Sequence, residues 1–251
     1  MFLDGSKGED ESQFMSEKRS ISSESLFHFT DSLSTLKKIL NSQHFLVREC
    51  EEHHWGGYKF SVPMACFCDI PLSQISSHTK QYGCYGIGMS SRWANDKKLC
   101  SMIYVRNKSD LSKWVCNTLK RIAMHSDDTV NVETIYLLSR IKKYKGIVPN
   151  KQGDKTNKEK YITFYDEREW RFVPKRLTIQ DIKISKEYEN LDLQDKEKLP
   201  FTLSDIEYII IKNESERKDI IKAINKIKSE KDSLDILKSK ILTIQQIEQD
   251  F

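Results

Sequence analysis

The segment from Tyr161 to Pro174, YITFYDEREWRFVP, restricts the fold more than any other part of the sequence. It is rich in aromatic and β-branched residues and ends at a proline, so we predict one continuous β-strand. Strand side chains alternate between two faces. The predicted core face carries Ile162, Phe164, Trp170 and Phe172, and the opposite face carries Tyr165, Glu167, Glu169 and Arg171.

The second face places two carboxylates, Glu167 and Glu169, two residues apart. Like charges on one strand face repel each other, and a sequence shaped only for stability would usually separate them. Two explanations stay open. Either Arg171 and another cation neutralise the pair, as in a structural charge ladder, or the pair is kept for chemistry.

Composition limits the classes of protein that this chain can belong to. Its 251 residues, 38% hydrophobic, can supply a sizeable core. The 41 basic and 37 acidic residues give a net charge of +4, which is too even to indicate nucleic-acid binding by charge alone. The six cysteines do not resemble a secreted disulfide framework, and neither a signal peptide nor a membrane-spanning run is evident. We therefore expect a cytoplasmic protein with free thiols and no membrane association.

We predict a flexible arm over residues 1–22 and a single α+β domain over residues 23–251. The domain is expected to combine a largely antiparallel split sheet with interspersed helices. The predicted strands lie at 25–30, 62–69, the end of 82–89, 101–105, 206–211 and 241–244. The predicted helices lie at 33–40, 72–80, 111–122, 132–141, after Asn213, and at 245–251. Loops are predicted at 44–60, including His53 and His54, and at 149–160, over a cleft.

The first strand is followed by a helix whose N-cap is either Asp31 or Ser32. His28 and Thr30 therefore lie near a strand end, a position at which side chains commonly line clefts. No glycine-rich turn between a strand and a helix indicates a doubly wound dinucleotide fold, and no phosphate-binding loop motif is present.

Four segments occur in a familiar order: LFHFTD at 26–31, PMACFCDIP at 63–71, YGCYGIG at 82–88 and YDEREWR at 165–171. Together they resemble the AbiGi family of bacterial abortive-infection (anti-phage) proteins, over about residues 25–215. The resemblance implies a function in anti-phage defence. AbiGi-like proteins are also described as the antitoxin half of a two-gene system, which implies a cognate partner protein.

The same layout is similar, more distantly, to ADP-ribosyltransferase-like domains, with matching positions at His28, Tyr82 or Tyr85, and Glu169. This similarity implies an ADP-ribosyltransferase-like fold, NAD as a substrate, and a protein or nucleic acid as the macromolecular acceptor. It requires no metal. The alternative of a metal site at Cys66, Cys68, Cys84 and His78 fits no standard zinc spacing, so buried thiols are favoured.

Breaking the bond between ribose and nicotinamide passes through a transition state that resembles an oxocarbenium ion. The similarity implies that Glu169 would stabilise this charge, with Glu167 orienting or deprotonating the nucleophile. Arg171 would hold a pyrophosphate or restrain Glu169. His28, with Thr30 beside it, would bind a ribose hydroxyl, and Tyr82 or Tyr85 would stack on nicotinamide.

The leading hypothesis is therefore an anti-phage protein that consumes NAD to modify a macromolecule. A non-catalytic, antitoxin-like module that binds a second protein is the main alternative. A third hypothesis is NAD hydrolysis, in which water replaces the acceptor.

Overall fold

The computed structural model describes residues 23–124, 132–148, 160–175, 183–186 and 195–250. The predicted arm at 1–22 and all but the last residue of the predicted loop at 149–160 lie outside these described residues. The strands are β1 Ser25–Thr30, β2 His44–Trp55, β3 Tyr58–Cys68, β4 Tyr85–Ser90, β5 Cys100–Ser101, β6 Ile103–Val105, β7 Ile141–Lys143, β8 Lys145–Val148, β9 Lys160–Thr163, β10 Glu169–Phe172, β11 Lys183–Lys186, β12 Asp195–Pro200, β13 Ile206–Ile211 and β14 Ile241–Thr243. The helices are α1 Leu33–Ser42, α2 Ile75–Tyr82, α3 Ser91–Asp96, α4 Asp110–Met124, α5 Val132–Leu138, α6 Arg217–Ile224, α7 Lys231–Ser239 and α8 Ile244–Asp250.

Most of these strands belong to one large sheet, in the order β12-β2-β3-β1-β4-β13-β14. Its pairings are antiparallel except for the parallel pair β13–β14. Two small sheets, β6–β7 and β8–β9, complete the strand pairing among the described residues. The predicted combination of a largely antiparallel sheet with interspersed helices is therefore confirmed.

Strand β3 positions the site because it has different neighbours along its length. On one side it pairs with β2 over most of its length and then, at Cys68, with Phe27 of β1. It also pairs with β11 near its start and with β10 over residues 65–68. Strands β1 and β10 therefore flank the end of β3, on opposite sides of Cys68.

The prediction of one continuous strand from 161 to 174 is wrong. Strand β9 ends at Thr163, a 3-10 turn covers Phe164–Glu167, and β10 begins only at Glu169. Arg168 joins the turn to β10 with a φ of 44°, in the left-handed region that a non-glycine residue seldom adopts. The turn buries both Phe164 and Glu167, whose side chains one uninterrupted strand would place on opposite faces.

Within β10 the predicted alternation is present. Glu169 and Arg171 are buried on one face, and Trp170 and Phe172 pack against the largest apolar core from the other. Helix α1 begins as predicted, with Ser32 rather than Asp31 as the N-cap, because the Ser32 side chain accepts a hydrogen bond from the Thr35 N–H.

Two further predictions need correction. Residues 44–60 form the β2–β3 hairpin rather than a loop, and only Gly56 and Gly57 form the turn, so the backbone of His53 and His54 lies in β2. The predicted helix at 132–141 ends at Leu138, and Ile141 begins strand β7 instead. This second change brings Lys142 to the site.

Candidate functional site

The main cavity lies where β1, β3 and β10 meet and has a volume of about 470 Å³. Its wall is rich in apolar side chains, including Phe27, Phe29, Met64, Phe67 and Phe164. The polar residues that line it include His28, Tyr82, Lys142, Glu167, Glu169 and Arg171. Five predicted site residues therefore line one cavity, although the sequence separates the first of them from the last by more than half the chain.

Strand pairing fixes two of these side chains. Glu169 pairs with Cys68 and Arg171 pairs with Cys66 across β10 and β3, so their side chains project from the same face of the sheet. Lys142 reaches this face from β7 in the small neighbouring sheet. Glu167 arrives from the 3-10 turn that precedes β10.

We call Lys142, Glu167, Glu169 and Arg171 the charged cluster. Lys142 Nζ donates to Glu167 Oε2 at 2.6 Å and to Glu169 Oε2 at 2.5 Å. Arg171 Nε donates to Glu169 Oε1 at 2.5 Å, and its Nη1 donates to the Ser139 carbonyl at 3.0 Å. The relative exposures of Lys142, Glu169 and Arg171 are 7%, 6% and 1%, so these ion pairs are buried.

The fourth carboxylate oxygen, Glu167 Oε1, accepts a hydrogen bond from the Tyr82 hydroxyl. Every oxygen of the two carboxylates therefore accepts from a donor among Lys142, Arg171 and Tyr82. Two cations balance two carboxylates in formal charge. Lys142 is thus the second cation that the first explanation required, and the chemical explanation stays a prediction.

Burial alone would raise the pKa of Glu169, but the charges of Arg171 and Lys142 and their hydrogen bonds hold it well below its usual value. Glu169 is therefore an ionised carboxylate at neutral pH. Burial, with Glu167 nearby, raises the pKa of Tyr82, so this hydroxyl stays a proton donor. Burial lowers the pKa of His78 to about 4, which leaves the imidazole neutral, and its ring lies 4.4 Å from that of Tyr82.

His28 also lines the main cavity, but its side chain projects from the face of the sheet opposite to that of Glu169. The register aligns Phe27 and Glu169 with Cys68, so these three side chains share one face of the sheet. His28 is the next residue after Phe27 in β1, so its side chain lies on the opposite face. Its ring packs 5.0 Å from Phe45 and 5.5 Å from Phe67, and its Nδ1 lies 2.9 Å from the Cys66 carbonyl oxygen. Burial lowers the pKa of His28, so this imidazole is neutral at neutral pH.

Thr30 and Tyr85 pair in register between β1 and β4 and are not among the residues that line the main cavity. The Tyr85 hydroxyl donates to Glu216 Oε1 at 2.7 Å, and partial burial raises its pKa to about 12. The structure thus brings together His28, Tyr82, Glu167, Glu169 and Arg171 but leaves Thr30 and Tyr85 outside that group. The roles predicted for these residues stay predictions.

Sequence reasoning missed Lys142 and Tyr104. The Tyr104 hydroxyl accepts a hydrogen bond from the Glu169 N–H at 2.8 Å, at the point where β10 begins. The only sequence signal for Lys142 was the pair of close carboxylates, which raised a second cation as one explanation without indicating its position. No local pattern distinguishes Lys142 from the neighbouring lysines at 143 and 145.

All six cysteines are free thiols. Among the described residues, no group of three or more His, Cys, Asp or Glu side chains is placed to hold a metal ion. In the same part of the chain, none of the helices has the length and apolar character needed to span a membrane.

Comparisons with known proteins place this sequence in a class of abortive phage resistance proteins. A family model described as "Putative abortive phage resistance protein AbiGi, antitoxin" matches residues 43–212. The match includes the whole charged cluster and Tyr82 but not His28. The chain belongs to the AbiGi family, as its sequence motifs indicated.

A curated relative, "Abortive phage resistance protein AbiGi" from Lactococcus lactis subsp. cremoris, is 28% identical over 224 residues. This alignment covers 76% of the present chain and 89% of the relative. No solved structure gives a significant match, so the ADP-ribosyltransferase-like part of the fold prediction stays a prediction.

Proposed function

We propose that this protein acts in abortive phage resistance as an antitoxin-like component that binds a partner protein and does not use NAD chemistry. The observation that carries the proposal is the saturation of both carboxylates by Lys142, Arg171 and Tyr82. The antitoxin description of the family model supports it independently.

A carboxylate that stabilises an oxocarbenium ion must direct negative charge at the sugar. Here Arg171 and Lys142 hold the two oxygens of Glu169 at 2.5 Å each, and both cations are buried with it. This pairing cancels most of the charge that a substrate would meet. An ordered, neutral cluster beneath an apolar wall instead resembles a structural element, because breaking a buried pair leaves a costly uncompensated charge.

The protein partner can be tested by co-purification and growth. The full chain, tagged, is co-expressed with the product of the neighbouring gene, and the mass of the purified complex is measured by light scattering. The proposal predicts a stable complex and recovery of growth in cells that express a toxic neighbouring product. Absence of both the complex and the recovery would contradict it.

ADP-ribosyl transfer is the second candidate function. One observation favours it. The main cavity is lined by five residues that the sequence analysis assigned to this chemistry: His28, Tyr82, Glu167, Glu169 and Arg171. On this hypothesis NAD would enter the main cavity and a macromolecule would accept ADP-ribose. NAD hydrolysis would use the same residues with water as the acceptor.

Labelled NAD, incubated with cell lysate and the purified protein, separates these functions. The critical variant is Glu169→Gln, and the matched control is Glu214→Gln, which makes the same change at an exposed residue of a surface ion pair. Circular dichroism checks that both variants are folded. Our proposal predicts no NAD turnover in any sample.

Label on a macromolecule with the wild type and Glu214→Gln, but not with Glu169→Gln, would instead establish transfer. Free ADP-ribose without labelled macromolecules, lost in the same variant, would establish hydrolysis.

A further inference from the structure

A second cleft, separate from the main cavity, opens beside the β8–β9 hairpin and has a volume of about 350 Å³. Five residues from three segments of the described chain line it: Arg106, Asn107, Tyr144, Lys145 and Tyr161. Arg106 and Asn107 follow β6, Tyr144 joins β7 to β8, and Tyr161 lies in β9. This volume lies near the lower end of the range for ligand clefts, about 300–1,000 Å³.

The second cleft has an excess of positive charge. The Arg106 guanidinium lies 5.5 Å from the Tyr144 ring centroid, and the Lys145 ammonium lies 5.9 Å from the same centroid. The five lining residues include no carboxylate, and neither cation forms a salt bridge with another residue in the described part of the chain. Two cations beside one ring therefore create a local site for an anion, although the whole chain is nearly balanced in charge.

The second cleft also belongs to an exposed group of tyrosines. The Tyr144 ring stacks on that of Tyr165, with centroids 5.4 Å apart and an angle of 23° between the rings. Tyr104 packs edge-on against Tyr165, with ring centroids 5.3 Å apart. Tyr161 and Tyr165 keep 63% and 52% of their surfaces exposed, so the rings form an accessible aromatic surface next to the cations.

Exposed aromatic rings interleaved with unpaired cations are the combination that binds single-stranded nucleic acids. The bases stack on the rings, and the cations hold the phosphates. We propose that the second cleft binds a nucleotide unit of a single-stranded nucleic acid, with a base stacked on Tyr161 and the adjoining phosphate held by Arg106 and Lys145.

The observations favour this ligand over an acidic peptide. A peptide carboxylate would pair with Arg106 and Lys145 but would leave the exposed Tyr161 ring without a stacking partner. A single nucleotide supplies both a base that stacks on the Tyr161 ring and a phosphate that pairs with the two cations. The proposal goes beyond the proposed partner-binding function and does not depend on it, because the second cleft and the charged cluster share no residue.

Fluorescence anisotropy of a labelled 12-nucleotide single strand, RNA or DNA, tests the proposal with the full-length protein at low salt. We expect saturable binding by the wild type that weakens with added salt, with a slope of about −0.7 in log K against log salt for one phosphate contact. Tyr161→Ala should weaken binding about 5- to 150-fold, while Tyr161→Phe, which keeps the ring, should bind like the wild type.

Two further variants test how much the positive charges contribute to binding. Arg106→Gln and Lys145→Gln should each weaken binding and make the salt slope less negative than that of the wild type, because each removes one of the two cations that hold the phosphate. Lys231→Gln, an equal change of charge on the exposed start of α7, should have neither effect. Tyr161 and both cations are partly or largely exposed, so the variants are expected to fold, and circular dichroism checks this.

Unlabelled adenosine monophosphate distinguishes the source of the nucleotide. Weak competition by the mononucleotide supports a strand as the ligand, and competition as strong as that of the 12-mer would assign the site to free nucleotides instead. Absence of binding by the wild type, or binding by Tyr161→Ala equal to that of the wild type, would overturn the proposal.

Discussion

Replacing Lys142 with methionine is the most informative perturbation of the charged cluster. The ammonium group joins two buried carboxylates, at 2.6 Å and 2.5 Å, and methionine fills a similar volume without the charge. Arg171 still pairs with Glu169, so the variant keeps one uncompensated buried carboxylate. Removing one partner from a buried pair costs about 3–5 kcal/mol, so we expect the free energy of unfolding to fall by that amount.

Urea denaturation followed by tryptophan fluorescence measures this loss. For a chain of this length, about 3–5 kcal/mol corresponds to a decrease in Tm of roughly 6–20 °C. Lys113→Met is the matched control, because Lys113 pairs with Asp110 at 2.9 Å but on the surface. Its expected cost is about 0.2–1 kcal/mol.

The effect of pH has a definite sign. In the wild type the pKa of Glu169 is lowered on folding, so its contribution to stability is present above the ordinary pKa of 4.5 and is lost as pH falls toward the folded value. Lys142→Met leaves a buried carboxylate without its cation, and protonation would relieve the cost of that charge, so the variant should regain stability as pH falls. The difference in stability between the two proteins should therefore narrow from about pH 7.5 to about pH 5.

A second substitution separates charge from packing. Lys142→Met combined with Glu167→Gln removes one charge of each sign, leaves the Glu169–Arg171 pair, and should recover about 0.5–3 kcal/mol relative to Lys142→Met alone. The reasoning would be refuted if Lys142→Met cost no more than Lys113→Met at about pH 7.5. It would also be refuted if the second substitution destabilised the protein further.

Three smaller predictions concern the framework around the site, each measured as a shift in the urea midpoint. Gly83→Ala should cost at least about 1–3 kcal/mol, because Gly83 has a φ of 109° and an added Cβ would lie 2.2 Å from the Thr30 carbonyl oxygen. Ser32→Ala removes the side-chain acceptor at the start of α1 and should cost about 1 kcal/mol. Tyr104→Phe leaves the buried Glu169 N–H without its acceptor and should cost about 1–3 kcal/mol. For each variant, an unchanged urea midpoint would contradict the hydrogen bond or close contact assigned to the replaced residue.

The parts of the site that depend on local periodicity could be predicted from the sequence. The alternation of Glu169 and Arg171 with Trp170 and Phe172 follows from the two-residue repeat of a strand, and the structure confirms it within β10. The close carboxylates also raised a second cation as one of two explanations, without deciding between them. These inferences use only neighbours in sequence.

The rest depends on contacts that no short pattern encodes. The chain turns at Arg168 through a left-handed conformation without the glycine that would have indicated it. Lys142 is buried because its ammonium group bonds to Glu167 and Glu169, whereas the nearby lysines at 143 and 145 are more exposed. Likewise, the residues near the end of β2 are polar and did not indicate a strand, but pairing with β3 stabilises one there.

The charged cluster is the central element of this account, and the ionisation of Glu169 tests it most directly. The carboxyl carbon of Glu169, labelled with ¹³C and assigned by comparison with Glu169→Gln, is followed by NMR as pH falls from about 7 to about 4. The account predicts that this signal does not titrate in that range, because Arg171 and Lys142 hold the pKa far below its ordinary 4.5. A midpoint at or above 4.5 would contradict the account, since it would mean that the two cations do not neutralise this carboxylate.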